Sequence, residues 1–181
     1  MQTYDALRET YKPAHIKVLF IAESPPPSAD TDSSRHFYRS DKIRKEDRLF
    51  VNTIKALYPE AASLTETEIE PDKEAWLRRF QKDGYYMIEA LETSQRHSVT
   101  KEARQERIRE SLPRLVERVR ELAGQHTNII LIKSNVFVVA AKPLRQAGFT
   151  VLNTELVDYP GRFNQRDYRE KLARLLGIAV R

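Results

Sequence analysis

The chain contains no cysteine. Disulfides, a Cys-ligated zinc and a Cys-held iron–sulfur cluster are therefore excluded, and the absence fits a reducing cytoplasm. Glycine is scarce: the five present form no GxGxxG, GxxxxGK[ST] or GxSxG, which argues against a dinucleotide enzyme, a P-loop NTPase and a typical α/β-hydrolase. No apolar run reaches the ~18–20 residues of a spanning helix, and Met1 to Arg8 mixes acid and base without the apolar core of a targeting segment. The expectation is a soluble, unprocessed, cytoplasmic protein with no membrane association. No internal repeat or low-complexity tract is present, and no metal-ligand or cofactor motif, so the expected cofactor and metal complement is none.

What remains is ordinary for one domain spanning residues 1–181, with 40% hydrophobic and 31% charged residues, enough to build a full core. Lys and Arg outnumber Asp and Glu by 31 to 26, giving net +5. A modest positive balance favours a polyanionic partner such as DNA or a nucleotide without identifying one.

Four apolar runs organise the chain. Ile16 to Ala22 has Lys17 as its one polar residue, so both faces of this strand should be covered, as in the centre of a parallel sheet. It ends on Glu23 and meets Ser24-Pro25-Pro26-Pro27, whose rings force the backbone out of the sheet. Tyr85 to Glu89, Asn128 to Lys133 and Thr150 to Thr154 read as the other strands. Helical patterns lie between them: one capped at Ser40 or Asp41 and carrying Ile43, Phe50, Ile54 and Leu57, another with Trp76, Leu77 and Phe80, a long one from Thr100 to Gly124, and one with Val136, Val139, Ala140 and Leu144. A short helix with Tyr4, Leu7 and Tyr11 precedes them and a last one with Tyr168, Leu172 and Leu175 follows. The order predicts a three-layer α/β/α sandwich on a four-stranded parallel sheet, with Ile16–Ala22 central between the second and third strands.

Ligands of open α/β sheets bind beyond the carboxyl ends of the strands. Glu23, Glu89, Ser134-Asn135 and Tyr159-Pro160 should gather there. Glu23 reads equally as a working carboxylate or as one that caps a helix or pairs with an Arg. Phe37, between basic residues on a loop, is placed to stack on a base or to anchor that loop on the core. Ser134 and Asn135 open a helix beside Lys133, where an anion could sit, although a glycine-free turn is a weaker signal than a P-loop. His97 reads as a catalytic residue or, as a lone loop histidine usually is, a solvated one. The arginines of Thr100 to Gly124 alternate with glutamates, so a self-paired face is expected, with a kink or restart at Pro113. Glu60 to Glu70 reads as a surface connection, and Phe163 as an apolar staple for the last helix.

Ile21-Ala22-Glu23-Ser24-Pro25-Pro26 after the first strand, the loop around Phe37, the helix with Leu49-Phe50 and Asp158-Tyr159-Pro160-Gly161 after the last strand together resemble the uracil-DNA glycosylase superfamily. The resemblance implies a sheet of order 2-1-3-4. It places Glu23 and Ser24 on the first motif, Phe37 on the base-stacking aromatic, Glu89 near the residue that reads the pyrimidine edge, and Tyr159-Pro160 on a His-Pro motif. Ala22 and Pro26 replace glycines of that family, Ser24 stands where its most active members carry an aspartate, and Tyr159 replaces a histidine.

Breaking an N-glycosidic bond takes an acceptor beside the sugar and a donor beside the departing base. Glu23 would supply the first, and Tyr159 or Arg162 the second. The resemblance thus implies a DNA glycosylase-like protein excising a damaged base such as uracil. The alternatives are a catalytically degenerate nucleotide- or nucleic-acid-binding module of the same fold, and an α/β interaction platform. The sequence sets neither the base, the strandedness of any DNA nor the oligomeric state.

Overall fold

The computed structural model describes residues 4–25, 36–40, 47–95 and 98–179. Its elements in order are α1 (Tyr4–Thr10), β1 (Val18–Ala22), α2 (Arg48–Leu57), α3 (Glu66–Ile69), α4 (Lys73–Lys82), β2 (Tyr85–Glu89), α5 (Lys101–Leu122), β3 (Asn128–Leu131), α6 (Ser134–Gln146), β4 (Thr150–Val151) and α7 (Gln165–Leu175). The four strands form one sheet of order β2-β1-β3-β4, and every pairing is parallel.

Topology follows from the connections. The step from β1 to β2 runs one way along the sheet, and the steps from β2 to β3 and from β3 to β4 run the other way. Right-handed crossovers therefore send α2 to α4 to one face and α5 and α6 to the other. Contacts of α2 with α7 and of α5 with α6 agree with that division. All five residues of β1 are buried, as an apolar run covered on both faces requires.

Between β1 and α4 the core is aromatic. Phe20 stacks on Phe80 at 5.8 Å between ring centroids, and Phe37 meets Phe50 edge-on at 5.5 Å. The carboxylate of Asp47 caps α2 through Phe50 N and also pairs with the buried Lys73 ammonium, which donates to the carbonyl of His36 at 3.0 Å. That one lysine ties the segment bearing Phe37 to α4. Tyr38 then lays its hydroxyl against the outer side of β2, accepting from Met87 N at 2.6 Å and donating to Met87 O at 3.1 Å.

Several local expectations are corrected. Residues 60–70 are not a bare surface connection: Pro59–Ala61 forms a 3₁₀ turn, Thr65 and Glu68 close a capping box on α3, and Ile69 is fully buried. The long helix α5 runs through Pro113 without a restart. The fourth strand stops at Val151, and the side chain of Asn153 replaces the ladder by accepting from Leu131 N at 2.7 Å and donating to Leu131 O at 2.9 Å. Phe163 staples nothing, being 93% exposed. Gly84 takes the turn between α4 and β2 at φ 85°, where a Cβ would lie 2.8 Å from Lys17 Cγ. The helix expected to be capped at Ser40 or Asp41 starts at Arg48 with Asp47 as its cap, while Thr3, Asp41, Ile43, most of the proline loop with Pro26, and His97 lie outside the described residues.

Candidate functional site

The strand order reverses between β1 and β3, so their carboxyl ends open onto the crevice where open α/β sheets take ligands. Glu23 leaves β1 there, its carbonyl still accepting from Leu91 N at 2.9 Å, and its side chain is buried. Lys133 leaves β3 directly beside it. The chain must turn within one residue from the Ile132–Val157 bridge into α6, and Lys133 takes that turn at φ 84° and ψ 140°. That conformation lies near a region populated almost only by glycine. Its surroundings hold it in place: Lys133 N donates to Val157 O at 2.7 Å, Lys133 O accepts from Phe137 N at 3.1 Å, and Nζ donates to Glu23 Oε1 at 2.8 Å.

Two further donors complete the carboxylate. Arg104, from the first turn of α5, donates to Glu23 Oε1 at 2.8 Å, and its Nε donates to Val99 O. Asn135, buried in the first turn of α6, donates to Oε2 at 2.7 Å and accepts from Gln105 Nε2 at 3.3 Å. Burial pushes the Glu23 carboxyl upward, but the bonds from Lys133, Asn135 and Arg104 outweigh it and hold the group below the usual carboxylate range. The cluster therefore carries one negative charge against two positive ones. The amino terminus of α6 adds its own positive potential.

Of the other expected site residues, Ser134 opens α6 between Lys133 and Asn135, and Ser24 follows Glu23; both are half-buried. Tyr159 and Arg162 stand on the loop after β4, two strands along the same edge. Tyr159 is 42% exposed, and its carbonyl is held by Asn164 Nδ2 at 2.7 Å. Arg162 lies over the ring of Phe163 at 5.6 Å from its centroid.

Two residues do not join this group. Glu89 pairs in register with Ala22, which turns its side chain to the face opposite Glu23. There Tyr4 and Arg8 of α1 seal it: Tyr4 Oη donates to Oε1 and Arg8 donates to Oε2 at 3.2 Å, and burial raises its pKa. Phe37 is 3% exposed and packed among Tyr38, Phe50 and Phe80, so it anchors its loop and offers no free face to a base. Of the two exposed aromatics on this edge among the described residues, Tyr159 and Phe163, Phe163 is the more open.

Arg104 and Phe163 were missed by sequence reasoning. Arg104 sits among arginines spaced like a solvated face, and nothing local distinguishes it. Phe163 did carry a signal, an aromatic set among Pro160, Gly161, Arg162 and Asn164 in a turn. Compared with known protein families and with curated proteins, the chain matches none.

Proposed function

We propose that this protein binds a phosphate-bearing nucleotide ligand, nucleic acid or free nucleotide, at the carboxyl edge of β1 and β3, as a binding module of glycosylase-like fold. The observation that carries this reading is the sharing of one buried carboxylate by two cations, which leaves excess positive charge at the switch point. A phosphate would take the free donor capacity of Lys133, whose side chain is one-third exposed. Phe163 and Arg162 on the neighbouring loop supply an open ring and a guanidinium plane of the kind that stack on unpaired bases.

A second reading, N-glycosidic hydrolysis of a damaged base such as uracil, rests on a different observation: Glu23 is held ionised. A fixed negative carboxylate stabilises cationic character in a sugar, and Tyr159 or Arg162 would donate to the departing base. Against it, both oxygens of Glu23 are already engaged by three donors, which lowers its basicity toward water.

The deciding experiment is a fluorescence-anisotropy titration of labelled single- and double-stranded oligonucleotides at two salt concentrations, run beside a base-release assay on uracil-containing strands. Binding is expected, with affinity falling by about 0.7–0.9 log units per log unit of salt for each phosphate engaged. No binding at low salt would overturn the proposal. Base release by the wild type, abolished in Glu23→Gln, would replace it with the hydrolase reading.

A further inference from the structure

On the opposite side of the sheet from α5 and α6, α2 and α7 leave a cleft of about 290 Å³ between their outer faces. Its apolar lining is made of short side chains, Ala56, Pro59, Ala62 and Ala173, with Ile178 at one end. Over it stand Lys55, Arg166, Arg169 and Glu170. Glu170 is committed to Arg166, 2.6 Å from its Nε. Arg169 donates to a neutral partner, Asn52 Oδ1, at 2.6 Å.

Lys55 has no carboxylate within ion-pair distance among the described residues. Glu66 and Glu68 act on it from further away, and Glu68 is itself held by Thr65 through both N and Oγ1 at 2.7 Å. Among the described residues, two cations thus line one apolar cleft with no carboxylate in direct ion-pair contact, Glu66 and Glu68 acting on Lys55 and Glu170 on Arg169 only from further away. Burial and the neighbouring Arg169 charge both lower the Lys55 pKa, and burial lowers that of Arg169. An anion placed between them would relieve both effects.

We propose that the α2–α7 cleft is a binding site for a small amphiphilic anion, its carboxylate or phosphate held by Lys55 and Arg169 and its apolar body laid on Ala56, Ala62 and Ala173. The volume lies just below the ~300–1,000 Å³ of small-molecule pockets, as suits a small ligand, and the lining has the apolar surface with few convergent polar groups that such pockets share. An inorganic anion alone would leave the alanine floor unused, and a neutral hydrocarbon would leave the cations unpaired. The site is separate from the Glu23 edge and does not rest on the nucleotide reading.

The test titrates ¹⁵N-labelled protein with octanoate, octyl phosphate, 1-octanol and inorganic phosphate while following backbone amide shifts. Octanoate or octyl phosphate is expected to move Ala56, Ala173 and Ile178 saturably, the better of the two identifying the head group. Octanol and inorganic phosphate should bind at least about tenfold more weakly, the scale of one charge-assisted contact. Lys55→Glu should weaken the octyl anion by about tenfold or more while leaving the melting temperature and oligonucleotide affinity unchanged. Equal binding of octanol and octanoate, an unchanged affinity in Lys55→Glu, or no saturable shift with either anion would overturn the proposal. So would displacement of the octyl anion by an oligonucleotide, which would make the cleft part of a nucleic-acid track.

Discussion

The ammonium of Lys133 lies 2.8 Å from Glu23 Oε1 while its own backbone stands at φ 84°, so a strained residue between β3 and α6 grips the carboxylate that follows β1. Strain of this kind persists where surrounding contacts over-determine it, and it concentrates at functional sites. Removing the side chain in two ways separates the strain from the grip. Lys133→Gly and Lys133→Ala both lose the ion pair, but glycine relaxes the turn. Relief of about 1–3 kcal/mol against about 0.5–1 kcal/mol of added chain entropy should leave the Gly variant more stable than the Ala variant by about 1 kcal/mol. Urea unfolding measures the difference. An Ala variant equal to or more stable than Gly would put any strain at or below the ~0.5–1 kcal/mol entropy cost of glycine.

Glu23→Gln should cost about 2 kcal/mol at pH 7, below the ~3–5 kcal/mol for breaking a fully buried pair, because Gln keeps some hydrogen bonds and Lys133 stays partly in water. The pH dependence has a definite sign. A carboxylate whose folded pKa is depressed contributes stability above its unfolded value, near 4.3, and loses it as pH falls through the folded value. The gap between wild type and variant should therefore hold from pH 7 down to about pH 5 and narrow as pH falls below the unfolded value of about 4.3. A gap that stays constant would show that the ionised form is not what the cluster recognises.

Glu89 and Asp47 contribute with the opposite sign. Burial raises both, so each favours the folded state more as pH falls through its folded value. Glu89→Gln should thus be near neutral or stabilising at pH 7 relative to its effect at pH 3, the reverse of Glu23→Gln. Parallel denaturant titrations of the two variants provide the comparison, and slopes of the same sign would refute it.

Phe163→Ala should leave stability within ~0.5 kcal/mol of wild type, as for surface positions generally, because the ring is almost wholly in water. If the ring stacks on a base, affinity for a single-stranded oligonucleotide should drop by about 1–3 kcal/mol. Anisotropy reads the loss, and an unchanged affinity would take Phe163 out of the interface.

Most of the frame was legible because it is written in apolar periodicity. The runs at Ile16, Tyr85 and Asn128 became adjacent parallel strands in the expected order. Glu23 was legible by position, and its pairing with an arginine was one of the two readings the sequence offered. The identity of that arginine was not, since Arg104 lies 81 positions away and only the packing of α5 selects it. Phe37 left two readings open for a related reason, and the anchoring one holds: a loop aromatic looks the same in sequence whether it faces solvent or fills the space above Phe80. The truncated fourth strand was hidden because Asn153 supplies by side chain what the ladder supplies by backbone.

The hydroxyl of Tyr38 has a consequence for how copies of this protein behave together. Strand β2 ends the sheet, and its outward backbone groups form a template onto which a foreign strand could add. Tyr38 occupies the Met87 amide and carbonyl, and Arg118 takes the Glu89 carbonyl at 3.1 Å. Recruitment of another chain would first have to evict a fully buried phenol from the middle of that rim. One tyrosine thereby guards the sheet against growing beyond its own molecule.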